Sequence, residues 1–562
     1  MTRSNTLAEA FPRALTILVT ASAVFAPLSL ILYQSLLTAP FFDAKKTVGL
    51  GAYAFIFADP DFWQSFANSI LIAAGMTLIA VPLGGVLAFV MERTDLPGKR
   101  WVEPLILVPS FVSPMVLSFG YVVAAGPVGF YTVWAEQLLG AAPWGIYSIP
   151  AMAVIAGLTH VPNVYVYASS ALKSLGSDVE EAARTTGASP FRVAATVSLP
   201  LIMPALLFSA VLVFFLGIEL FGLPLVLGDP EGHLVLSTYL YKLTNKLGTP
   251  SYHLMAATAI CIVAITFPLV LLQRRLLQNA RKYATIKGKA GRIRELPLGR
   301  WKWIAAGALG FWLFVAVIVP LSGITLRAFV TNWGVGVSLL EAFTLDNFQS
   351  VFDEPTQVRA IWNTILIGTV GGAITVACYT AIGFATHRRY DGWSRFIDYL
   401  VLIPRAVPGL LAGLAFLWVF LFFPPLTPLR TTIFSMWLAY TVVWLAYGMR
   451  LIQSSLMQVS TELEEAARTV GASRGRISRE ITLPLIRHGL LGSWLLVFMI
   501  FEREYSTGVY LLAPGTEVIG AELVSLWQGG AIDVVAALSL INIVLVGIGL
   551  AIALRFGVRL RD

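Results

Sequence analysis

The sequence is poor in charge and almost free of cysteine. Charged side chains make up 12% of its 562 residues, against about 25% in an ordinary soluble domain, and the mean hydropathy is +0.78. These values exclude a soluble globular protein of this size. Disorder is excluded as well, because disordered chains contain few aromatic residues and 12% of these residues are aromatic. Cys261 and Cys378 lie in apolar runs and indicate neither a disulfide framework nor a zinc site.

Signatures of catalysis and of bound cofactors are also missing from the sequence. No G-x-x-x-x-G-K-[ST] loop occurs, because Gly98-Lys99 and Gly288-Lys289 both lack the upstream glycine. We therefore expect that the chain does not hydrolyse ATP by itself, and no nucleophile–base arrangement indicates another enzyme. The histidines are scattered without a pair at i, i+4, so neither a metal cage nor a cofactor is predicted in this chain; they are His160, His233, His253, His387 and His488.

Long apolar runs are what the sequence has in abundance. A bilayer core of about 30 Å is crossed by roughly 20 apolar residues in a helix. Twelve runs fit, six in each half, and predict an all-α membrane protein. The first run resembles a signal peptide at its end, but it is too long for one and is expected to be the first helix. The predicted spans are residues 14–37, 66–91, 104–125, 146–172, 201–228, 254–272, 303–326, 360–386, 406–429, 431–449, 489–513 and 534–554.

Basic residues are distributed unevenly between the two sides that these helices define. If the N-terminus is cytoplasmic, the inward segments carry 29 of the 39 Lys and Arg residues and the outward loops carry six. Positive residues concentrate on the cytoplasmic side of membrane proteins, so both termini are predicted to lie in the cytoplasm. This topology accounts for most of the net charge of +8, and no nucleic-acid partner is expected.

The chain contains an internal repeat. Residues 180–189 read EEAARTTGAS and residues 464–473 read EEAARTVGAS, an offset of 284 residues. Weaker echoes pair Asn68-Ser69 with Asn363-Thr364, and Pro109 with Pro404. Six helices in each half give the repeats the same orientation, so we predict a two-fold axis along the membrane normal. The predicted domains are residues 1–285 and 286–562.

Both copies of the repeated motif fall in polar loops between the fourth and fifth span of their half, at residues 177–200 and 461–484. Local signals predict a short helix, a break and a second helix in each. These signals are a capping box, a glycine suited to a left-handed helix end and a proline in the next first turn. The residues are Ser177-x-x-Glu180 and Thr461-x-x-Glu464, Gly187 and Gly471, and Pro200 and Pro484.

The motif resembles the EAA loop of importer-type ABC permeases, E-A-A-x3-G-x9-I-x-L-P, with Val197 in place of Ile in the first copy. The resemblance implies a type I ABC importer permease fold in the bacterial inner membrane. It also implies two copies of a separate ATPase, which bind ATP and Mg²⁺, and a periplasmic substrate-binding protein. The residues that contact the ATPase would be Glu181, Ala182, Ala183 and Gly187 with Glu465, Ala466, Ala467 and Gly471.

Two fused permease halves in one chain, and the linker around residues 283–301, resemble the ferric-iron permease branch. Ferric iron is therefore the expected substrate, and thiamine, polyamine and phosphonate importers are alternatives. A secondary transporter of the major-facilitator type is a more distant alternative. That class also has twelve helices and parallel halves, but it has no reason to repeat an EAA loop.

Ionisable residues interrupt several predicted spans. Glu219 interrupts the fifth span and Glu502-Arg503-Glu504 the eleventh, at matching positions of the two repeats. Broken helices at matching positions indicate a central pathway, although an interfacial location or an ion pair between the repeats would also explain these residues. Arg405 belongs to one half only, because its repeat counterpart is Ser110. It either faces the pathway or ends its span at the cytoplasmic surface.

Overall fold

The computed structural model describes residues 3–174, 178–245, 251–283, 295–389 and 391–555. Within these ranges the regular structure is helical, with three isolated β-bridges. Among the described residues, ten helices are long and apolar enough to cross a membrane. The predicted all-α membrane fold is thereby confirmed. The predicted boundary between residues 285 and 286 lies outside the described residues.

The described part of the first half contains thirteen α-helices. The long helices α1, α3, α7, α10 and α13 cross the fold, and short helices connect them. Their bounds are α1 (Arg3–Ser35), α2 (Gly51–Ala58), α3 (Pro60–Arg93), α4 (Lys99–Phe111), α5 (Pro114–Ala125), α6 (Phe130–Leu139), α7 (Ile149–Ser174), α8 (Asp178–Thr185), α9 (Pro190–Val193), α10 (Leu199–Ile218), α11 (Gly222–Leu227), α12 (Leu236–Asn245) and α13 (Tyr252–Tyr283).

The described part of the second half repeats much of this order. Short π-helical turns interrupt its first and second spans, so that each is divided into two α-helices. The bounds are α14 (Trp301–Leu313), α15 (Val319–Ala328), α16 (Asp346–Asp353), α17 (Pro355–Leu366), α18 (Gly372–Thr386), α19 (Gly392–Leu400), α20 (Gly409–Phe422), α21 (Ile433–Val443), α22 (Leu445–Met457), α23 (Thr461–Thr469), α24 (Arg474–Ile477), α25 (Leu483–Arg503), α26 (Ile519–Gln528) and α27 (Ile532–Arg555).

The predicted number of twelve spans is approximate, because several runs that read as single helices are broken. Residues 104–125 divide into α4 and α5 before Pro114, and residues 406–429 begin in a break before Pro408. The helical segments on either side of that second break meet at 108°. Ser113 and Val407 are both extended, since a residue that precedes proline is sterically excluded from the helical region. The run at residues 431–449 divides at Trp444 into α21 and α22.

The first span of each half packs against the third span of the other half. Helix α1 contacts α20, and α15 contacts α5. The second contact is close because glycines lie in it: a Cβ atom on Gly323 would stand 2.7 Å from the carbonyl oxygen of Gly120. The two halves are therefore interlocked, and the helices that line the centre are held from both sides.

A widened helical turn precedes the fifth span in both repeats. The π-helical turns Ala194–Ser198 and Ser478–Thr482 are followed by Pro200 and Pro484 in the first turn of α10 and α25. Proline cannot donate to the helix, and its ring clashes with the carbonyl four residues back, so a wider turn relieves the strain. The predicted position of both prolines is confirmed.

Candidate functional site

The repeated motif forms a short helix that ends at a left-handed glycine. Gly187 follows α8 with φ of +87°, and Gly471 follows α23 with φ of +83°. In each copy the glycine N–H bonds three residues back, and the next N–H bonds five residues back, from Ala188 to Ala183 and from Ala472 to Ala467. This is the Schellman arrangement, which favours glycine at the left-handed position. The predicted helix ends are confirmed. We name α8 to α9 and α23 to α24 the first and second coupling segments.

Much of each coupling helix is exposed on one face of the protein, here called the coupling face. Glu181 and Ala182 are exposed in the first segment, and Glu465 and Ala466 are exposed in the second. The following alanines, Ala183 and Ala467, are partly covered. The second segment also exposes large apolar side chains, with Leu463 50% and Val470 84% exposed. Exposed apolar groups beside polar ones are typical of a protein-docking surface.

The glutamate before each EAA triplet is buried and fastens the coupling helix to the membrane helices. Arg93 at the end of α3 donates from Nε to Glu180 Oε1 at 3.1 Å. The Ser198 hydroxyl donates to the same oxygen at 2.8 Å. The side chains of Arg93 and Glu180 are 1% and 9% exposed. A movement of α8 must therefore displace the ends of α3 and α10.

The second repeat has the same fastening with an added histidine. Glu464 accepts from His387 Nε2 at 3.0 Å and Thr482 Oγ1 at 3.0 Å, and it pairs with Arg388 at 3.2 Å. Burial alone would raise the pKa of Glu464, but the hydrogen bonds from His387 and Thr482 and the charge of Arg388 outweigh it. The pKa of this carboxyl group is consequently lowered.

These contacts correct the predicted capping box in the second repeat. Ser460, and not Thr461, caps α23, because its side chain accepts from the Glu462 N–H at 3.2 Å. Glu464 faces the interior instead of the helix start. The corresponding Ser177 lies outside the described residues. Arg93 and Arg388 are each the first basic residue after matching spans, and this shared position is the sequence feature that the two fastenings have in common.

Four of the five predicted pathway residues line one central cavity of about 220 Å³: Glu219, Arg405, Arg503 and Glu504. His160, near the middle of α7, lines it as well. Each of the four charged residues lies at the end of a helix or in a break between helices. Irregular backbone at membrane depth is tolerated where it lines a cavity. The cavity therefore explains why these helices can be interrupted at this depth.

Two interactions across the repeats occupy symmetric positions in the cavity. Glu219 interacts electrostatically with Arg405, and its counterpart Arg503 donates to the carbonyl oxygen of Ser110, the counterpart of Arg405. The Arg405 guanidinium carbon also lies 4.8 Å from the ring centre of Phe215. The one-sided Arg405 is thus placed in the break between α19 and α20, where it faces an acid of the other repeat.

The carboxylates of the second interruption differ in their surroundings. Glu504 Oε2 accepts from Trp444 Nε1 at 3.0 Å, and Oε1 accepts from the backbone and hydroxyl groups of Ser506 and Thr507 at 2.9–3.1 Å. It therefore organises the turn after α25. Glu502 does not line the cavity. Its side chain is buried beside Gly368, and its two oxygens have no hydrogen-bond partner among the described residues.

The opposite face of the protein is closed by contacts between the repeats. Tyr241 donates to Gln528 Oε1 at 2.8 Å, and the hydroxyls of Thr244 and Tyr510 lie 2.7 Å apart. The Gly222 N–H donates to the Tyr505 hydroxyl at 3.1 Å. These polar contacts bring the segments after α10 and α25 together above the cavity. We name this set of contacts the outer seal.

The weakly repeated pairs Asn68-Ser69 and Asn363-Thr364 bind the backbone of the segments that form the outer seal. Asn68 Nδ2 donates to the carbonyl of Leu234 at 2.9 Å, and the Ser69 hydroxyl accepts from the Leu236 N–H at 2.9 Å. In the second repeat, the same two positions bond to the Glu517 carbonyl and the Ile519 N–H, at 2.8 and 2.9 Å. The repeat therefore extends to the interactions that position α12 and α26.

The described residues contain no group of three or more His, Cys, Asp or Glu side chains that could hold a metal ion. The cavity instead combines two carboxylates with two guanidinium groups. Such a lining can attract an ion or a charged complex in passing, but it does not provide the ligand set of a stable metal centre.

The interlocked repeats, duplicated coupling segments and central cavity define a membrane permease. A family described as "Binding-protein-dependent transport system inner membrane component" matches residues 80–282 and 373–561. The chain belongs to this family. This membership excludes the major-facilitator alternative and makes the chain a multi-pass inner-membrane permease subunit.

Three curated relatives are similar to the chain. The putative ferric transport system permease protein FbpB 1 of Haemophilus influenzae is 25% identical over 80% of this chain and 70% of its own length. The ferric transport system permease protein FbpB of Actinobacillus pleuropneumoniae is 25% identical over 85% of this chain and 69% of its own length. The molybdenum transport system permease protein ModB of Escherichia coli is 27% identical over 38% of this chain and 92% of its own length.

Proposed function

We propose that the chain forms the whole translocation pore of an ATP-driven importer that receives ferric iron from a periplasmic binding protein. The observation that carries this proposal is the duplicated coupling segment, whose buried Glu180 and Glu464 connect an exposed helix to two membrane helices. An exposed helix fastened in this way suits the transmission of an external movement to the pore. The match of a short permease to 38% of the chain supports two fused permease units.

Each coupling segment would receive one ATPase subunit, so two copies are expected. Glu181 and Glu465 are exposed and free to meet basic groups of the partner, and the small alanines beside them permit close approach. ATP and Mg²⁺ would be bound by the ATPase subunits. The excess of Lys and Arg on the coupling face supports its location in the cytoplasm together with both termini.

During transport, closure of the outer seal would alternate with closure of the ATPase dimer. With the outer seal formed, the cavity is separated from the periplasm. Closure of the ATPase dimer would draw the coupling segments together, and the fastenings at Glu180 and Glu464 would pass this movement to α3, α10, α18 and α25. The outer seal would then separate and admit substrate from the binding protein. Closure of the ATPase dimer and opening of the outer seal can be coupled only if the contacts of the protein differ between the two states.

The substrate assignment rests on the two relatives named as ferric transport permeases, which the chain matches over most of its length. The carboxylates of Glu219 and Glu504 suit a passing cation. Arg405 and Arg503 in the same cavity favour an anion. Iron accompanied by an anionic ligand therefore suits both the two carboxylates and the two arginines. A small oxyanion such as a phosphonate is the second candidate, because the two arginines alone would serve it.

The coupling assignment is tested by purification of the tagged chain from its native membrane, followed by mass spectrometry. We expect a stoichiometric P-loop ATPase, which is lost from the Gly187→Asp/Gly471→Asp variant. Gly140→Asp is the matched control, since Gly140 is also left-handed, with φ of +81°, but lies away from the coupling face. Retention of the ATPase by the double variant, or its loss from the control, would contradict the assignment.

The substrate is tested with the complex reconstituted in vesicles that contain ATP. Uptake of radioactive iron that depends on the binding protein and on ATP is the expected result. Uptake of a labelled phosphonate without uptake of iron would select the second candidate. Uptake driven by a proton or sodium gradient without ATP would reject the importer itself.

A further inference from the structure

A pocket of about 240 Å³ opens between the first turns of α3 and the segment that leads into α12. Asp61, Gln64 and Ser65 of α3 and Lys242 of α12 are among the residues that line it. Because α3 ends at Arg93, in the fastening of the first coupling helix, its first turns lie on the opposite side of the protein, beside the outer seal. We name this pocket the outer pocket.

The second repeat fills the matching place with an ion pair of its own. The matching asparagines of α3 and α17 donate to the carbonyls of Leu234 and Glu517, so these two residues are equivalent. Four residues before each asparagine, the helices carry Gln64 and Arg359. Arg359 Nη2 donates to Glu517 Oε1 at 2.9 Å, whereas Gln64 and Leu234 are uncharged and line the open pocket. The outer pocket is therefore the place that a guanidinium group occupies in the second repeat.

The outer pocket contains groups that can accept hydrogen bonds from a cation. Asp61 is paired with Lys242 at 2.9 Å, and Asp229 also lines the pocket and already interacts with another group. Each carboxylate oxygen can accept more than one hydrogen bond, so both acids can receive a further donor. The Ser65 hydroxyl is buried and has no hydrogen-bond partner among the described residues. A buried hydroxyl without a partner in a pocket points to a ligand that donates.

The pair of Asp61 and Lys242 connects the pocket to the outer seal. Lys242 directly follows Tyr241, whose hydroxyl donates to Gln528 of the other repeat. The side chains of Lys242 and Asp61 are 33% and 51% exposed, and ion pairs this exposed contribute little to stability. A second cation can therefore displace Lys242 from Asp61, and this exchange would release the helix that carries Tyr241.

We propose that the outer pocket receives an arginine or lysine side chain of the periplasmic binding protein, an inference that rests on the importer function proposed above. Cationic side chains form strong, charge-assisted hydrogen bonds with carboxylates, and Arg359 occupies the equivalent place in the second repeat. The entering cation competes with Lys242 for Asp61. Docking of the binding protein on the first repeat thereby loosens α12 and favours opening of the outer seal.

The test measures the affinity of the full importer complex, in lipid nanodiscs, for the binding protein that supports uptake. Asp61→Asn should weaken binding about fivefold, the upper range for an exposed ion pair. Lys242→Gln should strengthen binding, because it removes the cation that competes for Asp61. If the pair of Asp61 and Lys242 only stabilised the fold, the two replacements would change the affinity in the same direction.

Gln64→Arg/Leu234→Glu builds the ion pair of the second repeat into the outer pocket. It should weaken docking at least about 30-fold, while the ATPase still copurifies and shows that the chain is folded. Asp353→Asn is the matched control, because it removes an exposed carboxylate just before α17, the counterpart of α3, and it should bind like the unmodified chain.

Unchanged affinity in Asp61→Asn and in the double variant, or no strengthening in Lys242→Gln, would overturn the proposal. The unmodified complex would then still bind the binding protein and take up substrate, whereas failure of the importer function itself would abolish both. If the double variant loses the ATPase, the opposite effects expected for Asp61→Asn and Lys242→Gln decide.

Discussion

Phe221 and Tyr505 stack on each other with ring centres 6.3 Å apart and ring planes 7° from parallel. They are 284 residues apart, which is the offset of the repeat, so two equivalent residues meet where the two halves face each other. The Gly222 N–H also donates to the Tyr505 hydroxyl, and a Cβ atom on Gly222 would lie 2.9 Å from the Tyr505 ring. The outer seal therefore has its centre on the axis that relates the repeats.

Tyr505→Phe should loosen the outer seal without disturbing the ring stack. The lost hydrogen bond contributes about 1 kcal/mol, which corresponds to a roughly fivefold rise in the open population. Tyr505→Ala should give a larger rise, because the aromatic contact is also lost. The measurement is the labelling rate of Ser110→Cys, in the cavity, by a charged thiol reagent added from the periplasmic side, with Cys261 and Cys378 replaced.

The control for this experiment is Tyr53→Phe. It removes a hydrogen bond to Ser35 that lies within the first repeat and does not join the halves. Its labelling rate should equal that of the unmodified chain. Equal rates for Tyr505→Phe and Tyr53→Phe would show that the Tyr505 hydroxyl does not hold the seal.

Glu464→Gln should loosen the second coupling helix, whereas Glu465→Gln should not. Hydrogen bonds to a charged group contribute roughly 2 kcal/mol, so amide exchange in residues 461–469 should accelerate about 30-fold in Glu464→Gln. Glu465 is exposed, and its replacement should leave exchange unchanged while it weakens ATPase binding. The opposite pattern, with faster exchange in Glu465→Gln alone, would contradict the fastening role of Glu464.

The stabilisation that Glu464 gives the folded chain should be lost at low pH. Because the native pKa of this carboxyl is lowered, the stabilisation is fully present above its ordinary value of about 4.3. It is lost as the pH falls through the lower native pKa. The difference in melting temperature between the unmodified chain and Glu464→Gln should still be present at about pH 5 and should narrow below about pH 4. A difference that disappears near neutral pH would be inconsistent with a lowered pKa.

The two carboxylates of the central cavity should respond differently to loss of charge. Glu504→Gln should lower the melting temperature, because Glu504 accepts several hydrogen bonds that hold the turn after α25. Glu219→Gln should slow iron uptake, because it removes a negative charge from the cavity lining beside Arg405. Normal uptake by Glu219→Gln would indicate that this residue only joins the repeats.

Much of the coupling site could be predicted from the sequence because its signals are local. The helix ends at Gly187 and Gly471 follow from backbone preferences of neighbouring residues, and the repeated letters show that the segment occurs twice. The fastening residues escaped prediction. Arg93 and Glu180 are 87 residues apart in the chain, and no local pattern indicates that a charged pair at such a distance is buried together.

The sequence alone determined the membrane class, the repeat and the family motif, because apolar length, charge distribution and short periodic patterns are carried by neighbouring residues. The tertiary structure alone decided which charges meet. It placed Glu219 and Arg405 in a shared cavity and buried Glu502 away from it. Such juxtapositions depend on helix breaks and on the packing of one half against the other, where a small change in register moves a side chain from cavity to lipid.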